Sequence, residues 1–411
     1  MKTLISFKEA LYLTLSNVHA VRTEILPLHQ LSRNILSEDI VSKVDCPSTS
    51  SSRKDGYAVI SEDLTGASHQ NLVKLNIIGS LVAGDHPKLT LSSGQAVRVT
   101  TGAPLPQGCD AVISEEFCRL SGDFIYAVNT AGSGRNILEK GSDIRQGEAI
   151  AVKGEKLSPA LIGLLASAGL DGAAVHKAPN VAVIATGDEV VAPGKPLPEG
   201  KLYASNMVEL CAWLSYHDLS HTAELVKDHR EDIRSAITKQ LSTADVFITS
   251  GGAWGSEKDL IIKVAENLNW QGIFHRVRMG PGKPVGFGLL GKKPIFILPG
   301  GPPSNEMAFL QLALPALLKM KGDQPIAFPV ARARLAETVR GHLDWTDFIH
   351  ARLEKREGQL VVHPAKLKSR LQSMARKEAL IMIPENRKEI TAGETTEIQI
   401  METPANLSLS G

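Results

Sequence analysis

The chain is 411 residues long, carries a formal net charge of +1, and has 43% hydrophobic and 22% charged residues. This composition is typical of a globular protein, and the length predicts about two to four domains, each with its own core. A net charge this close to zero gives no sign that the chain binds nucleic acid or an anionic membrane surface.

The N-terminal segment and the cysteines indicate a cytoplasmic protein without structural disulfides. The segment is interrupted by Lys8 and Glu9, which favours an amphipathic helix over a signal peptide. No apolar run in the sequence is long enough to span a bilayer. The four cysteines have neither a CxxC pair nor zinc-type spacing, so free thiols are expected for Cys46, Cys109, Cys118 and Cys211.

The first half of the chain combines two helices with a glycine-rich β segment. Residues 7–18 are predicted to form a helix, because Ser6 followed by Glu9 is a capping-box pattern. A second helix is predicted over residues 156–168, with Ser158 as its N-cap. Between these helices, glycines at short intervals and partly alternating apolar residues predict a small barrel-like or sandwich-like β domain.

The second half begins with strand and helix patterns that alternate from residue 180 to residue 320. Strands are predicted at 181–186, 221–226, 246–249, 272–277 and 294–298, and helices at 206–216, 230–241, 260–268 and 304–320. Such alternation predicts a doubly wound parallel sheet with helices on both faces. After residue 322, the strand patterns at 331–335, 347–353, 360–363, 379–383 and 396–401 predict a small C-terminal β domain.

One strand–loop–helix segment, residues 244–259, has the pattern of an anion-binding site. The apolar run 246–248 leads into Ser250-Gly251-Gly252, and Asp259 precedes an apolar helical run. Paired glycines let a phosphate approach backbone N–H groups, and a carboxylate beside them suits a metal ion. Taken alone, the segment is equally compatible with a glycine-rich turn in which Asp259 caps the helix.

Four loops of the α/β section are expected to meet at one edge of the sheet, because each follows a strand or precedes a helix. They bring glycines, the acids Asp188, Glu189 and Asp259, and Lys283. This set suits a phosphorylated ligand held with a divalent cation, the simpler alternative being four independent turns. Asp228 is either part of the set or a helix N-cap. The loops are 186–189, 250–259, 280–284 and 298–304.

Sequence motifs along nearly the whole chain resemble one family. In order they are DGYAV at 55–59, TGAP and GCDAV within 101–112, NI and GSDI within 136–144, TGDE at 186–189, SN at 205–206, SGG with Asp259, PGKP at 281–284, and LPG with Pro302. In this ordered set the chain is similar to the molybdopterin molybdenumtransferase family of the MoeA type, which includes the E domain of gephyrin. Asp55 and Asp143 lie outside the α/β section, and each taken alone is more typical of a turn residue than of a ligand.

The resemblance implies a four-part fold and a dimer. It implies a segmented helical linking domain (1–45 and 146–177), an inserted β domain (46–145), a molybdopterin-binding-like doubly wound α/β domain (178–325) and a C-terminal β barrel-like domain (326–411). It also implies a homodimer in which the cleft forms between the α/β domain of one subunit and the inserted β domain of the other. Other cofactor-biosynthesis proteins are implied as further partners.

The activity that the resemblance implies is Mg²⁺-dependent insertion of molybdate into adenylyl-molybdopterin, with release of AMP. Catalytic roles are implied for Asp55, Asp228, Asp259 and Lys283. Metal ligation is implied for Asp143, Asp188, Glu189, Asp228 and Asp259. Substrate contacts are implied for Thr101, Ser205, Asn206, Ser250, Gly251, Gly252, Gly282, Pro284, Pro299, Gly300 and Pro302.

Several positions depart from the family pattern. Lys54 replaces a methionine, Gly280 a lysine and Gly301 an asparagine, and the loop before Asp259 carries Trp254 in place of a small hydroxyl residue. Other departures occur at Ser256 and Glu378. Two further functions therefore stay open, a non-catalytic molybdopterin or molybdate binder that acts as a scaffold or carrier, and a hydrolase built on a related α/β domain. The matches at 55 and 101 count against the hydrolase, because the α/β domain alone does not need them.

Overall fold

The computed structural model describes residues 1–86, 88–251, 260–323, 328–365 and 369–401. The chain divides into two compact units, one formed by Met1–Glu24 with His176–Gly411 and the other by Ile25–Val175. In the described part of the chain, no helix is both long enough and apolar enough to cross a membrane. The first 24 residues lie with the α/β and C-terminal regions in this division, whereas the sequence grouped them with 25–45 and 146–177. The four-domain boundaries stay a prediction.

The smaller unit is built around a six-stranded sheet that buries both faces. Alternate residues of Gly56–Val59 illustrate this, since Tyr57 and Val59 pack in one apolar cluster and Ala58 in another. This is the period-2 alternation of a strand covered on both sides. In sheet order, the strands are Ala111–Ser114, Gly56–Val59, Gln95–Val99, Val73–Leu81, Phe124–Ala127 and Cys118–Ser121.

The remainder of the smaller unit contains one α-helix and short strand pairs. The helix is Pro159–Ser167, and the Ser158 side chain accepts the Leu161 N–H as the sequence predicted for an N-cap. Gly169 follows it with φ +80°, the left-handed conformation that ends helices. The strand pairs are Thr23–Pro27 with Gly172–His176, Ile40–Val41 with Ala149–Ala151, and Ser51–Ser52 with Ile137–Leu138, and the 3₁₀ turns are Leu28–Gln30, Ser61–Leu64 and Glu115–Phe117.

The larger unit contains the predicted doubly wound sheet, extended by antiparallel strands. Its four parallel strands are, in sheet order, His221–Val226, Val181–Thr186, Val246–Ser250 and Lys293–Leu298. Gly286–Leu290 and Trp270–Gly280 continue the sheet in antiparallel sense, and Lys2–Ser6 pairs parallel to the latter. The strands 286–290 and 293–298 are joined by a two-residue turn at Gly291, and a connection this short allows only antiparallel pairing.

Helices cover both faces of this sheet. Val181 and Val183 pack against one set of helices, and Ala182 and Ile184 pack against the other. The Ser6 side chain accepts the Glu9 N–H at 3.1 Å, which confirms the predicted start of the first helix. The helices are Phe7–Ser16, Ser205–Tyr216, Arg230–Gln240, Leu260–Asn267, Pro302–Ala308 and Leu314–Lys321, with a π-helical turn at Phe309–Ala313 and a short strand pair, Val190–Val191 with Leu202–Tyr203.

The C-terminal region, for which the sequence patterns predicted a small β domain and the resemblance implied a barrel, forms a closed β barrel. Its five strands pair in a ring, which closes because Thr346–Arg356 is hydrogen-bonded both to Gln359–Pro364 and to Ala379–Ile383. The barrel joins the central sheet where Met279 and Gly280 pair in parallel with Thr346 and Asp347. In ring order, the strands are Thr346–Arg356, Gln359–Pro364, Val330–Leu335, Thr395–Ile400 and Ala379–Ile383, accompanied by helix Arg370–Ala375 and the pair Val339–Arg340 with Glu389–Ile390.

Candidate functional site

Three of the predicted loops meet at the carboxyl ends of the parallel strands. Gly251 has φ +110°, and a Cβ on it would lie 2.4 Å from the carbonyl oxygen of Thr186. Its N–H donates to the carbonyl oxygen of Leu298 at 3.2 Å. Only glycine fits this position, because a side chain would collide with the backbone of the neighbouring strand.

Two asparagine amides fix the loop that follows Leu298. The Asn206 Nδ2 donates to the carbonyl oxygen of Gly300 at 2.8 Å. The Asn305 Nδ2 donates to the carbonyl oxygen of Pro299 at 2.7 Å and to the Ser250 Oγ at 3.0 Å. Asn305 is buried and was not among the predicted site residues. A buried amide needs hydrogen-bond partners, and nothing in the local sequence distinguishes Asn305 from its polar neighbours Ser304 and Glu306.

These loops line a cavity of about 430 Å³. Most of the predicted substrate-contact residues of this region lie on its wall. Tyr203 and Arg370, the latter on the short helix of the barrel, also line it, and no sequence pattern indicated either residue. The predicted residues on the wall are Glu189, Ser205, Asn206, Ser250, Gly251, Gly300 and Pro302.

A second cavity of about 500 Å³ holds Lys283 and shares the loop 299–302 with the first. The predicted residues Gly282, Pro284 and Pro299 line it as well. Ser304, of the predicted loop 298–304, also lines it, as do Arg276 and Trp345, which were not predicted. The Lys283 Nζ lies 5.3 Å from the centroid of the Trp345 ring, within the range of a cation–π interaction.

Two of the predicted metal-binding acids lie together at the ends of neighbouring strands. The Thr186 Oγ1 donates a short hydrogen bond to the Asp228 carboxylate. The Asp228 N–H donates to the Asp188 Oδ1 at 3.3 Å, so the two acids are adjacent. Within the described ranges, no group of three or more His, Cys, Asp and Glu residues is arranged to hold a metal ion. Gly252, Trp254, Ser256 and Asp259 lie outside the described residues, and their roles stay predictions.

The smaller unit brings two of its three predicted site residues together. The Asp55 Oδ1 accepts the Thr101 N–H at 2.6 Å and the Thr101 Oγ1–H at 3.0 Å. These hydrogen bonds, the backbone one first, hold the pKa of Asp55 below its usual value. Asp143 is exposed, and its backbone N–H donates to the carbonyl oxygen of Cys46 at 3.0 Å, apart from the Asp55–Thr101 pair.

A buried ionic cluster that the sequence did not indicate joins the α/β domain to the barrel. The carboxylate of Glu306 is fully buried and accepts a short hydrogen bond from Lys377, and His350 Nε2 lies 3.0 Å from it. Burial favours the neutral acid, but the hydrogen bond from His350 and the charge of Lys377 lower the pKa of Glu306. Burial and the neighbouring Glu306 raise the pKa of Glu209 to about 8. The two carboxyl groups therefore share a site in which one proton is held near neutral pH.

Comparison with known proteins places these features in one family. Three family models match consecutive parts of the chain, described as "MoeA N-terminal region (domain I and II)" over residues 5–169, "Probable molybdopterin binding domain" over 182–319 and "MoeA C-terminal region (domain IV)" over 332–401. The chain is 32% identical to a molybdopterin molybdenumtransferase of Haemophilus influenzae over 92% of this chain and 94% of that one. It is 30% identical to molybdopterin molybdenumtransferase 2 of Mycobacterium tuberculosis, over 94% and 96%.

Solved structures agree with the sequence comparisons. Two structures of MoeA proteins from Pyrococcus horikoshii match with TM-scores of 0.86 and 0.78, at 32% and 28% identity. They cover 98% and 97% of this chain and 100% of their own. The chain therefore belongs to the MoeA family of molybdopterin molybdenumtransferases, whose N-terminal, central and C-terminal regions it contains in the same order.

Proposed function

We propose that this protein inserts molybdate into adenylyl-molybdopterin, with assistance from Mg²⁺ and release of AMP. The observation that carries the proposal is the meeting of the Gly251 and Gly300 loops at a cavity that adjoins the cavity of Lys283. A pterin nucleotide has an extended, anionic phosphoanhydride between two ring systems. Two adjoining cavities, with a glycine-containing loop shared between them and a lysine in the second, suit a ligand of that shape and charge.

The loops of the first cavity are preorganised for close approach of phosphate oxygens. The side chains of Asn206 and Asn305 donate hydrogen bonds to the carbonyl oxygens of residues 300 and 299, so the loop keeps its shape without a ligand. Gly251 and Gly300 present no side chain to the cavity wall, which leaves space for a phosphate group to come close to the loop. Fixed dipoles of this kind stabilise charge without reorganisation during the reaction.

Lys283 is assigned the stabilisation of negative charge that develops as the phosphoanhydride bond to AMP is cleaved. Its ammonium group lies beside the Trp345 ring, which restricts its position. Loss of one such donor from a preorganised site costs on the order of 3 kcal/mol of transition-state stabilisation.

The acids at the strand ends fit a magnesium ion in their chemistry. Asp188 and Asp228 offer adjacent carboxylates, and Mg²⁺ usually binds one or two carboxylates together with substrate phosphate oxygens and water. When bound, the ion would neutralise phosphate oxygens and polarise the phosphorus atom. Glu189 lines the neighbouring cavity and belongs to the same proposed set, as does Asp259 on the basis of the family pattern.

A second copy of the chain completes the proposed site. Asp55, Thr101 and Asp143 belong to the smaller unit, and the proposal assigns them to the cleft of a partner subunit in a homodimer. The mutual hydrogen bonds of Asp55 and Thr101 support a shared role for this pair. Measurement of the molar mass in solution tests the dimer directly, and a monomer at micromolar concentration would contradict it.

The activity is tested by mixing the purified protein with adenylyl-molybdopterin, Mg²⁺ and molybdate and measuring AMP. We expect AMP release that depends on Mg²⁺, and a loss of about 100-fold in Lys283→Met. Lys292→Met is the matched control, because Lys292 is an exposed lysine of the same sheet region. Absence of AMP release in the presence of an active control enzyme would refute the proposal.

One observation favours a second function, binding without catalysis. Position 280 carries glycine where the family pattern has lysine, so this cleft has one cationic side chain fewer. A scaffold or carrier would bind adenylyl-molybdopterin or molybdate and release no AMP. Calorimetric binding together with the AMP assay on the same sample separates the two functions.

A further inference from the structure

The cavity that contains Lys283 is arranged for an anion. Arg276 and Lys283 both line it, and its described lining residues include no acidic side chain. Ser304 adds a hydroxyl group, and the Trp345 ring forms part of the wall. A tetrahedral oxyanion, either molybdate or a phosphate group, suits such a wall.

Position 280 on the edge of this cavity has no space for a side chain. A Cβ on Gly280 would lie 2.2 Å from the Asp347 Oδ1, and a Cβ on Gly341 would lie 2.5 Å from the Asp347 Oδ2. Asp347 is buried, with 7% of its surface exposed. Its carboxylate therefore fills the place from which the lysine of the family pattern would start.

The Asp347 carboxylate is bound to a single histidine by three contacts. The His342 N–H donates to Oδ2 at 2.6 Å, and His342 Nδ1 lies 3.2 Å from Oδ1 and 3.3 Å from Oδ2. The His342 side chain is 73% exposed, and its ring centroid lies 5.4 Å from that of Trp345. Because Nδ1 faces the carboxylate, Nε2 is the ring atom that remains for a ligand.

We propose that His342, oriented by Asp347, binds an oxyanion at the rim of the Lys283 cavity and replaces the cationic group that glycine removes at position 280. This inference rests on the proposed function for the identity of the ligand, and it makes Asp347 a positioning residue. The Lys283 Nζ lies 5.3 Å from the centroid of the Trp345 ring, and the centroid of the His342 ring lies 5.4 Å from the same ring, so both groups are near this indole. Because imidazole is the side chain whose charge commonly changes near neutral pH and an ammonium group stays charged there, the pH dependence of anion binding distinguishes a histidine from a lysine.

The elements that pack against the His342 loop also carry charged residues, in addition to Arg340 and Asp344 of the loop's own segment. Arg278, on the strand 270–280, donates from Nε to the carbonyl oxygen of Asp344 at 3.0 Å. The backbone of Lys388 accepts the Gly341 N–H at 2.8 Å. The carboxylate that contacts the imidazole directly is that of Asp347, so it is the group expected to control the orientation of the ring.

The test is calorimetric titration of the full-length protein with molybdate and, separately, with AMP, at pH 6.5 and pH 8.5. The variants are His342→Gln, Asp347→Asn and, as a control, His363→Gln, which removes another histidine with a carboxylate neighbour on the same barrel. We expect His342→Gln to weaken one of the two probes about tenfold at pH 6.5, the size of one charge-assisted hydrogen bond, and to remove its pH dependence. Asp347→Asn should weaken the same probe and shift its pH dependence, and His363→Gln should change neither.

The two probes identify the source of the oxyanion, since an effect on molybdate alone indicates the metalate and an effect on AMP alone indicates the nucleotide phosphate. Unchanged affinity of His342→Gln for both probes would overturn the inference, as would failure of the unmodified protein to bind either. If the His342→Gln variant releases AMP and its affinities are unchanged, the proposed transferase function is supported and the role of His342 is rejected. Loss of affinity in His342→Gln, in a protein that releases no AMP, would support the inference and reject the transferase activity.

Discussion

Removal of Lys377 should destabilise the larger unit by leaving a buried carboxylate without its main cationic partner. The side chain of Glu306 is 0% exposed and that of Lys377 is 8% exposed. Breaking a buried ion pair by removing one partner typically costs about 3–5 kcal/mol, because the remaining charge stays desolvated. His350 still contacts the other carboxylate oxygen at 3.0 Å, so we expect Lys377→Met to cost about 3 kcal/mol, the lower end of that range.

The double variant Glu306→Leu with Lys377→Met should recover most of this loss. Apolar residues of similar size in place of a buried ion pair are often neutral for stability or favourable, since no charge is left to desolvate. We therefore expect the double variant to lie within about 1 kcal/mol of the unmodified protein. The two single costs would then sum to far more than the cost of the double change, which is the signature of direct coupling.

Tryptophan fluorescence during urea denaturation reports the unfolding of the larger unit, in which both substitutions lie. The chain has four tryptophans, at positions 213, 254, 270 and 345, and all belong to the larger unit. The shift in the urea midpoint at constant slope gives the change in unfolding free energy. Lys292→Met serves as the control for loss of an exposed lysine. A cost below about 1 kcal/mol for Lys377→Met, or additive costs in the double variant, would refute the assignment of Glu306 as a charged, paired group.

Three further predictions concern the titratable groups and the tightest loop. The pKa of Glu209 is raised from 4.5 to about 8, so its contribution to stability is complete below pH 4.5 and is lost as pH rises through 8. The urea midpoint of the unmodified protein should therefore fall between pH 6.5 and 8.5 relative to that of Glu209→Gln. Parallel profiles of the two proteins would contradict this. Gly251→Ala should lower the free energy of unfolding by about 2 kcal/mol or more and reduce AMP release. Residue 251 has φ +110°, and a Cβ there would lie 2.4 Å from the carbonyl oxygen of Thr186. An unchanged melting temperature of the variant would contradict this prediction. In an NMR titration, the pKa of the Asp55 carboxyl group should lie below its usual value of 3.8. The Thr101→Val variant should raise that pKa only part of the way, because the backbone N–H of residue 101 lowers it more than the hydroxyl group does. A full return to 3.8 would show that the hydroxyl group dominates.

Local patterns predicted the elements of the larger unit closely. The strand 181–186 was predicted with both of its ends, and the strand 379–383 likewise, because each is a short apolar run with clear boundaries. The predicted helix 304–320 is observed with a π-helical turn at 309–313, in which the Leu314 N–H donates to the carbonyl oxygen of Phe309. Pro315 follows directly and has no N–H for the helical ladder, which accounts for a local change of hydrogen bonding there.

The meeting of the loops at one sheet edge was predictable because it depends on topology. Parallel strands place their carboxyl ends together, so the loops after 186, 250 and 298 converge whatever their side chains are. The side chains that line the cavities from other elements were not predictable in this way. Trp345 reaches the Lys283 cavity from the barrel, and Arg370 reaches the first cavity from the short helix of the barrel, and no periodicity indicates such contacts.

The contacts that the sequence missed join residues far apart in the chain. Glu306 and Lys377 are separated by 71 positions, and neither residue alone shows a pattern that indicates burial. The N-terminal strand Lys2–Ser6 is similar, since its pairing with residues 274–278 follows from an open sheet edge and not from its own composition. Asp259 and the loop before it lie outside the described residues, so the metal-binding role drawn from the family pattern rests on the sequence alone.

The departure from the family pattern at position 280 has a different meaning in three dimensions from the one it has in the sequence. Read along the chain, glycine in place of lysine removes a positive charge and favours a protein that binds without catalysis. In the structure, the same glycine leaves room for the Asp347 carboxylate, which contacts His342 beside Trp345, a residue that lines the cavity. A lysine at position 280 would place its Cβ 2.2 Å from the Asp347 Oδ1, so the loss of this motif residue and the position of the carboxylate are linked in the packing of the site. A family motif is therefore a weaker guide to catalytic competence than the full set of charges that surrounds the cavity.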